Sequence, residues 1–385
     1  MKILVTGAQG FVGKNLVVML KRRFDVDVVE YDVDSRESLL FDGLMAADVV
    51  FHLAGVNRTD EPKDFAAGNT GFTQIICDRL WSLGRKPMII FSSSIQAALD
   101  NPYGISKRRA EETLLNFYEQ TGAQVVIFRI KNVFGKWCRP NYNSVVATFC
   151  HNIARDLPIS ISNRANEVDL VYVDDVCEAM IEAAGLLSAS PSHFASATDS
   201  AYAEIAPSFK ITLGNLVDII HSFKESRSSL QVPPFDDPFI TRLYATYLSY
   251  LEGNDLIYDL DIKADSRGSL AEFLKSPSLG QIFISRTKPG ITRGNHYHHT
   301  KTEKFFVVQG TALIRFRNIL GNDIIEQAVS GSDFRVVDIP PGYAHSIENI
   351  GNEELVTIFW ADEIYDPTRP DTFYEEVVKT TEEKS

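Results

Sequence analysis

The feature that most constrains the fold is a glycine-rich turn at residues 7–13, which reads Gly-Ala-Gln-Gly-Phe-Val-Gly. A short apolar run at residues 3–5 precedes this turn, and residues 12–20 carry apolar side chains at helical spacing. Glycines between a strand and a helix permit a tight turn and a close backbone approach, so that a pyrophosphate can lie at the helix N-terminus. The sequence therefore predicts a dinucleotide site formed by Gly7, Gly10, Phe11, Val12 and Gly13.

Strand and helix signals continue to alternate after this turn. Residues 26–31, 49–53 and 88–91 have the apolar character of buried strands, and residues 69–83 have helical spacing. Such alternation is typical of parallel sheets that are covered by helices on both faces. We therefore predict an α/β Rossmann-like fold, a doubly wound parallel sheet, for the first part of the chain.

The pattern changes near residue 255, beyond which short alternating strands are separated by glycine, proline and asparagine turns. This is typical of an all-β sandwich or barrel. The predicted strands are residues 281–285, 304–308, 312–317, 336–339 and 356–360. We place the linker at Glu252-Gly253-Asn254-Asp255, which gives a first domain of residues 1–254 and a second of residues 255–385. The charged tail at residues 375–385 is expected to fray.

Composition narrows the class of partner. The chain has 385 residues with a normal globular balance, 44% hydrophobic and 23% charged, and its net charge is −13. An acidic chain is a poor partner for nucleic acid or for an anionic membrane. The four cysteines form no CxxC pair, the apolar run at residues 3–5 is too short to be expected to act as a signal peptide, and no run approaches the ~18 apolar residues of a spanning helix. We expect a cytoplasmic protein that binds a small molecule.

A tyrosine and a lysine are spaced for acid–base chemistry. In the run Tyr103-Gly104-Ile105-Ser106-Lys107, the first and last residues share a helix face. An ammonium beside a phenol is expected to lower the pKa of that phenol and to help it exchange a proton. The run Ser92-Ser93-Ser94 ends a predicted strand just upstream, where a hydroxyl can bond the same carbonyl oxygen. Tyr103 and Lys107 are therefore candidate catalytic residues.

The nicotinamide cofactor is left open between two forms. Asp32 ends the second predicted strand, where a carboxylate would bond the ribose hydroxyls and favour NAD. Arg36 is close enough in sequence to meet a 2′-phosphate instead, which would favour NADP. Both residues are assigned to the cofactor site.

These motifs resemble those of the extended short-chain dehydrogenase/reductase family. The resemblance covers residues 1–250 and rests on TGAQGFVG, HLAG, FSSSI, YGISK and VYVDDV. It implies that Ser94 is the catalytic serine, with Ser93 as the near alternative. It adds further cofactor residues, Leu53, Ala54, Gly55 and Asn69, and a substrate set of Ser93, Ser94, Asn132 and Asn143. Members that dehydrate sugars carry an Asp-Glu pair where this chain has Ile95-Gln96, so plain carbonyl reduction is favoured.

The second domain carries a candidate metal site. His296 and His298 are two residues apart in a predicted strand and so face the same side, while Glu303 and His345 are expected from neighbouring strands. Three imidazoles and a carboxylate suit Zn²⁺, Fe²⁺, Mn²⁺ or Ni²⁺, and Zn²⁺ is the first choice. The spacing resembles both motifs of the cupin family, with Phe334 at a turn position where that family usually has glycine.

A second resemblance concerns the same strand. Arg293-Gly294-Asn295-His296 and Asp265-Ser266-Arg267-Gly268 resemble segments of the nucleotide-sugar 3,5-epimerases, which are metal-free cupins. It implies that His296 is a catalytic base and that Lys304 polarises the keto group. His296 cannot freely be both base and metal ligand, so either a metal polarises the substrate or it only shapes the site. His299 is a weaker candidate base.

A reductase followed by an epimerase-like cupin resembles the bifunctional enzymes of capsular polysaccharide synthesis. The resemblance implies a UDP-4-keto-6-deoxy-N-acetylhexosamine substrate, C3 epimerisation in the cupin, and then NADPH-dependent C4 reduction toward UDP-N-acetyl-L-fucosamine. It also implies a homodimer. Two alternatives stay open, a redox-neutral epimerase that retains NAD and a non-catalytic nucleotide-sugar sensor with a structural metal. The intact Ser-Tyr-Lys set argues against the sensor, which needs no proton donor.

Overall fold

The computed structural model describes residues 1–23, 25–186, 194–196 and 201–379. The chain divides into two compact units, one of Met1–His221 with Arg242–Leu251 and one of Ser222–Thr241 with Glu252–Ser385. The chain passes between the units three times, and the last change, after Leu251, lies close to the predicted linker, but Ser222–Thr241 groups with the second unit. A domain boundary at residues 254/255 stays a prediction.

The first unit is built on a seven-stranded sheet in the order β2-β1-β3-β4-β5-β9-β8, in which all neighbouring pairs are parallel except β8 with β9. Its strands are β1 Lys2–Thr6, β2 Asp27–Tyr31, β3 Val49–His52, β4 Met88–Ser94, β5 Val125–Ile130, β8 Phe194–Ser196 and β9 Tyr202–Ile205. A smaller sheet has the order β10-β7-β6, formed by β6 Asn132–Phe134, β7 Glu167–Tyr172 and β10 Phe209–Thr212. The predicted Rossmann-like parallel sheet is confirmed.

Helices cover both faces of the large sheet because its central strands alternate apolar side chains between two cores. Ile3 and Val5 face one core, which contains residues of α1 and α7, while Leu4 faces the other, which contains residues of α2, α4 and α5. The helices are α1 Phe11–Arg23, α2 Glu37–Ala46, α3 Pro62–Phe65, α4 Phe72–Ser82, α5 Pro102–Thr121, α6 Val145–Ala154, α7 Val173–Ala183, α8 Leu213–Ser229 and α9 Pro238–Leu248. Among the described residues, none of these helices combines the length and the apolar character needed to cross a membrane.

The second unit contains two antiparallel sheets, in the orders β11-β12-β13-β20-β15-β18 and β17-β16-β19-β14-β21. The strands are β11 Ile262–Asp265, β12 Gly268–Ser276, β13 Gly280–Thr287, β14 Thr292–Tyr297, β15 Glu303–Gln309, β16 Thr311–Asn318, β17 Ile324–Ser330, β18 Val336–Ile339, β19 Tyr343–Asn349, β20 Leu355–Ala361 and β21 Phe373–Tyr374. Inward side chains of both sheets, such as Phe305, Ile314 and Phe359, form one apolar core. The predicted all-β cupin-like domain is confirmed.

The start of the tail departs from the sequence-based expectation. The backbone N–H of Glu375 donates to the Asn295 carbonyl at 2.9 Å, and Val377 is fully buried. The expectation of a frayed tail is therefore wrong for residues 375–377, while residues 380–385 lie outside the described part of the chain.

Candidate functional site

The glycine-rich turn after β1 requires glycine at two positions. Gly7 has a φ of +70°, and a Cβ there would lie 2.7 Å from the backbone nitrogen of Ala54. A Cβ at Gly13 would lie 2.1 Å from the Gly7 carbonyl oxygen, so α1 can approach β1 only without a side chain. The Gly10 N–H donates to the same carbonyl at 3.0 Å and closes the turn. The N-terminus of α1 therefore lies close to the C-terminal end of β1, where a pyrophosphate site requires it.

This turn opens into a cavity of about 590 Å³, a volume within the usual range for small-molecule sites. Most of the predicted cofactor and substrate residues line it: Gly7, Gly10, Phe11, Val12, Gly13, Leu53, Gly55, Asn69, Ser93, Ser94, Tyr103, Lys107, Asn132 and Asn143. Ala54, Asp32 and Arg36 are not among the lining residues. The structure thus brings together side chains that lie more than a hundred positions apart in sequence.

The carboxylate of Asp32 is engaged by the backbone. One oxygen accepts the Gln9 N–H at 2.7 Å, and the other accepts the Val33 N–H at 2.8 Å. Arg36 precedes α2 and is exposed. Asp32 therefore fixes the glycine-rich turn against the end of β2, a role that the sequence did not suggest.

Tyr103 and Lys107 lie in the first two turns of α5. The side chain of Asn101 caps this helix by accepting the Gly104 N–H at 2.8 Å, and Pro102 occupies the first turn. The Lys107 Nζ donates to the Ser92 carbonyl at 2.6 Å and lies 4.4 Å from the centroid of the Phe91 ring. Burial lowers the pKa of this ammonium to about 8, although the nearby carboxylate of Glu111 acts in the opposite direction.

The phenol of Tyr103 differs from the sequence-based expectation. Burial raises its pKa, and a hydrogen bond with the Ser94 hydroxyl only partly offsets this effect. The expected lowering by Lys107 is wrong for this structure, because desolvation of the phenolate dominates. Tyr103 is consequently a protonated phenol at neutral pH, which is the state that a proton donor needs.

The structure distinguishes the two candidate serines. Alternation along β4 points Ser93 and Ser94 to opposite sides. Ser93 is buried and its hydroxyl donates to the carboxylate of Glu111, whereas the Ser94 hydroxyl contacts Tyr103 and accepts the Gln96 N–H at 3.2 Å. Ser94 is thus the serine placed beside the phenol.

A buried carboxylate behind the tyrosine and lysine was missed in the sequence. Glu111 is four residues after Lys107 on α5 and is almost fully buried. Arg129 Nη2 donates to Glu111 Oε2 at 2.6 Å, and the hydroxyl of Tyr202 donates to the same oxygen at 3.1 Å. The signal was present, since i and i+4 on a helix share a face, but its partners on β5 and β9 come from distant sequence.

Asn69 acts on the loop after β3. It lies in a π-helical turn, Ala66–Gly71, between α3 and α4. Its side-chain amide donates to the Val56 carbonyl and the Ser106 hydroxyl, each at 2.9 Å, and its side-chain oxygen accepts the Val56 N–H at 2.9 Å. Asn69 therefore shapes the cavity wall by holding the backbone at Val56.

The cavity rim also carries a cationic cluster that the sequence analysis did not identify. The guanidinium carbons of Arg139 and Arg58 lie 5.1 Å and 5.8 Å from the centroid of the Tyr142 ring, and Arg58 donates to the Tyr142 carbonyl. Arg139, Tyr142 and the predicted Asn143 all line the cavity. Two guanidiniums around an aromatic ring are well suited to an anionic, partly aromatic ligand.

In the second unit, the four predicted metal ligands converge. Their ligand atoms, from His296 on β14, His298, Glu303 on β15 and His345 on β19, all lie within 4.8 Å of one another. Glu303 Oε2 is 3.5 Å from His298 Nε2 and 3.6 Å from His345 Nε2. The geometry therefore agrees with the ligand set that the sequence predicted.

A β-bulge sets which side chains of β14 face inward. Arg293 pairs with Ile347 and His296 pairs with His345, so the intervening residues on β14 include one extra residue, Asn295, which has a φ of +58°. Because Ile347 and His345 share a face, Arg293 and His296 share it too, although they are three positions apart. Simple alternation would have placed them on opposite faces.

The polar atoms of the cluster fit a divalent cation. The Nε2 atoms of His298 and His345 are buried and lack a hydrogen-bond partner among the described residues. Their Nδ1 atoms face the carbonyl oxygens of Asp371 and Tyr343, the latter at 3.2 Å. A carbonyl only accepts, so Nδ1 carries the proton and the Nε2 lone pair is directed into the cluster.

Charges in the cluster agree with this fit. Burial, aided by His345 and His298, lowers the pKa of His296 to about 4, so its imidazole is neutral at neutral pH. Burial alone would raise the pKa of the Glu303 carboxyl, but contacts with His298 and His345 outweigh it and hold that pKa well below its usual range. A neutral imidazole at His296 and an ionised carboxylate at Glu303 are donors that zinc and related ions accept.

The structure does not bring Lys304 to this cluster. Lys304 follows Glu303 on β15, so it points to the opposite face, where it is exposed and paired with Asp338. Lys301 is instead the buried cation beside the ligands, with its Nζ 3.6 Å from Glu303 Oε1 and 3.2 Å from Thr372 Oγ1. We therefore do not retain Lys304 as a catalytic candidate.

His299, the weaker candidate base, also lies outside the cluster. It is exposed, and its ring contacts Phe373 with 4.8 Å between the ring centroids. Phe334 lies at a turn with a φ of +50° and is 80% exposed, so its departure from the glycine of the cupin pattern affects no ligand.

Comparison with known proteins places the chain in a family. Residues 3–194 match the NAD dependent epimerase/dehydratase family, and residues 263–373 match the polysaccharide biosynthesis C-terminal domain. A protein of Pseudomonas aeruginosa named UDP-2-acetamido-2,6-beta-L-arabino-hexul-4-ose reductase is 43% identical over 374 residues, which are 97% of this chain and 98% of that protein.

Solved structures give the same result. The crystal structure of the capsular polysaccharide assembling protein CapF from Staphylococcus aureus matches with a TM-score of 0.89 and 44% identity, over 98% of this chain and 100% of that chain. A UDP-glucuronic acid 4-epimerase from Bacillus cereus, solved in complex with NAD, matches with a TM-score of 0.52 and 19% identity, over 65% of this chain and 96% of that chain. The second likeness shows the fold alone.

The fold, the Ser-Tyr-Lys set and these matches define a nucleotide-sugar reductase/epimerase, an enzyme that uses a nicotinamide cofactor. Sequence identity of 43–44% along nearly the whole chain shows to which family within this class the chain belongs. The chain belongs to the family that contains CapF and the Pseudomonas aeruginosa reductase.

Proposed function

We propose that this chain is a bifunctional enzyme acting on a UDP-linked 4-keto-6-deoxy-N-acetylhexosamine. The second unit epimerises C3, and the first unit then reduces the C4 ketone, toward UDP-N-acetyl-L-fucosamine for a capsular or surface polysaccharide. The observation that carries this proposal is the presence of two separate sites in one chain, Ser94 with Tyr103 and Lys107 in the cavity and the four-ligand cluster of the second unit. The name of the Pseudomonas aeruginosa relative supports the substrate class.

The reduction needs one hydride and one proton. When bound in the cavity, the nicotinamide cofactor would supply the hydride. Tyr103, protonated because burial raises the pKa of its phenol, donates its proton to the C4 oxygen, and the Ser94 hydroxyl bonds the same oxygen. Lys107, held by the Ser92 carbonyl, places a positive charge near the phenolate that forms.

NADPH is proposed over NADH. Both carboxylate oxygens of Asp32 accept backbone N–H bonds, which weakens the case for a ribose contact, and Arg36 is exposed at the start of α2. Values of kcat/KM for the two cofactors test this choice. A clear preference for NADH would contradict the proposal and would favour a contact of Asp32 with the ribose hydroxyls.

The epimerisation needs a base that takes the C3 proton, which is acidic because the C4 ketone is adjacent, and an acid that returns a proton to the opposite face of C3. We propose that His296, His298, Glu303 and His345 hold one divalent ion, with Zn²⁺ as first choice, and that His296 is a ligand and not the base. When bound, such an ion supplies Lewis-acid stabilisation of negative charge on a substrate oxygen. Lys301 beside Glu303 adds a second positive charge to this buried site.

Metal content tests the ligand set. We expect about one zinc per purified chain, as four-coordinate sites of this donor type usually hold one ion, and loss of that metal in His298→Ala. His299→Ala is the matched control, because that neighbouring imidazole lies outside the cluster. Full occupancy in His298→Ala would remove the proposed ligand set.

Consumption of NADPH tests the overall reaction. One NADPH oxidised per sugar converted is expected, whereas a redox-neutral epimerase would convert substrate with no net oxidation.

We also propose a homodimer, on the family resemblance alone. Light scattering should then give twice the chain mass of 43.1 kDa, and a monomer would contradict it.

A further inference from the structure

A segment near the end of the described chain lies along β14, the strand that carries His296. We call residues 371–377 the C-terminal strap. Within it, β21 pairs with β14 so that Tyr374 lies opposite His296 and Phe373 lies opposite Tyr297. This contact could not be predicted from the sequence, because the strap has no strong apolar pattern and follows the last long strand of the unit.

One residue of the strap holds the loop that carries His298. Asp371 Oδ1 accepts the N–H of His299 at 2.9 Å, while Asp371 Oδ2 accepts the N–H of Thr300 at 2.8 Å and that of Lys301 at 2.9 Å. The hydroxyl of Thr300 donates to Oδ2 as well, at 3.0 Å. Three consecutive backbone amides are thus fixed by a single carboxylate, which gives charge-assisted hydrogen bonds.

The backbone of the same residue orients the ligand ring. The Nδ1–H of His298 donates to the Asp371 carbonyl, which fixes both the tautomer and the rotation of the imidazole. The Nε2 atom of His298 is left buried, without a hydrogen-bond partner among the described residues, and 3.5 Å from Glu303 Oε2. Thr372 then accepts from Lys301 Nζ, which holds the cation beside Glu303.

The other end of the strap holds the bulge of β14. The N–H of Glu375 donates to the Asn295 carbonyl at 2.9 Å, and the N–H of Val377 donates to Asn295 Oδ1 at 3.3 Å. Asn295 is the extra residue that turns His296 toward the cluster. Loss of these bonds would free the one position that determines which face His296 occupies.

A buried arginine anchors this end. Arg317 on β16 is 1% exposed and donates to the carbonyls of Glu376 and Val377, at 2.7 Å and 2.9 Å, and to the Glu375 carboxylate. A guanidinium placed this deeply and bonded to three successive residues fixes the strap as part of the folded unit.

We propose that the C-terminal strap is the positioning element of the metal centre, with Asp371 as the positioning residue for His298 and Asn295 as its attachment beside His296. This inference rests on the proposed metal binding. Ligand atoms must be held close to their bound geometry in advance, and loss of residues that support ligands lowers metal affinity by about 10–100-fold.

The test compares Asp371→Ala and Asp371→Asn with Asp366→Asn in full-length, metal-stripped protein. Asp366, five residues before Asp371, is the matched control, since its carboxylate accepts bonds from Thr368 and pairs with Arg369 at 3.5 Å, and these contacts do not involve residues 299–301. Binding of Co²⁺ is followed by its visible absorption, and binding of Zn²⁺ by competition with a chromophoric chelator. We expect Asp371→Ala to lower affinity by about 10–100-fold, Asp371→Asn to lower it less because one acceptor oxygen remains, and Asp366→Asn to bind as the wild type does.

The Co²⁺ spectrum separates positioning from general stability, since a displaced His298 changes the coordination geometry while a merely less stable fold does not. Wild-type affinity and an unchanged spectrum in Asp371→Ala would overturn the proposal. If that variant fails to fold, Asp371→Asn decides in the same way. Failure of the wild-type protein to bind either ion would instead refute the proposed metal site itself.

Hydrogen exchange on the wild-type protein gives an independent check that needs no variant. Because the strap is proposed to hold the loop before metal arrives, the amides of His299, Thr300 and Lys301 should be protected in the metal-free protein. Rapid exchange of all three without metal, followed by protection on adding Zn²⁺, would contradict a preformed site.

Discussion

At the residue scale, chemistry in the first unit depends on what burial does to two groups on one helix. Burial raises the pKa of the Tyr103 phenol and lowers the pKa of the Lys107 ammonium to about 8. The first effect keeps the proton on the donor, and the second makes the charge of the lysine sensitive to mildly alkaline pH. The two groups should therefore give distinct signatures in kinetics.

Replacement of the phenol tests the proton donor. Tyr103→Phe removes only the hydroxyl, so cofactor should still bind while kcat for NADPH oxidation falls by about 10²–10⁴, the usual effect of losing an acid–base group. Fluorescence titration with NADPH and steady-state kinetics measure the two quantities. Tyr118→Phe on the exposed side of α5 is the control, and near wild-type turnover in Tyr103→Phe would exclude Tyr103 as the donor.

The pH dependence tests the lysine. With a pKa of about 8, Lys107 is charged below that pH and loses its charge as the pH rises through it. Reduction that depends on this charge is therefore present at pH 7 and declines above about pH 8. Lys107→Arg, whose guanidinium keeps its proton, should move the decline to higher pH. A rate that is flat to pH 9.5 in the wild type would argue against this role.

At the element scale, regular alternation and turn chemistry were readable from the sequence, but irregularities were not. The alternation of strand and helix patterns predicted the parallel strands around β1. The two-residue spacing of His296 and His298 predicted that their side chains converge, as they do. The bulge at Asn295 did not, because an extra residue is defined only against its partner strand. Alternation along β15 also predicts that Lys304 lies on the face opposite Glu303. The resemblance to the 3,5-epimerases, which suggested a catalytic role for Lys304, was therefore less reliable than the alternation.

The turn after β1 gives a test at this scale. Gly13→Ala places a Cβ 2.1 Å from the Gly7 carbonyl oxygen, so α1 must shift. We expect the free energy of unfolding to fall by about 1–3 kcal/mol, as for other overpacked sites, and NADPH binding to weaken. Gly71→Ala is the control, since its Cβ would make an ordinary contact 3.5 Å from Ala66. Denaturant unfolding measures the free energy of unfolding, and cofactor titration measures NADPH binding. Equal values of both quantities in Gly13→Ala and Gly71→Ala would contradict the prediction.

At the scale of the whole molecule, the class of each unit was predictable, while contacts between distant segments were not. The Rossmann-like sheet and the antiparallel sheets beyond residue 255 are as expected. Ser222–Thr241 groups with the second unit, and Phe373 and Tyr374 pair with β14, the strand of His296. Both features depend on long-range contacts, which local sequence patterns do not record. We propose separate reactions for the two units, epimerisation in the second and reduction in the first.

Deuterium uptake tests that division most directly. Proton NMR of the UDP-4-keto sugar in D₂O, with the full-length protein and no NADPH, should show exchange at C3. Tyr103→Phe should keep this exchange and lose reduction when NADPH is added, whereas His298→Ala should lose the exchange. If Tyr103→Phe lost both activities together, or if His298→Ala exchanged C3 at the wild-type rate, epimerisation would not belong to the second unit and the account would be contradicted.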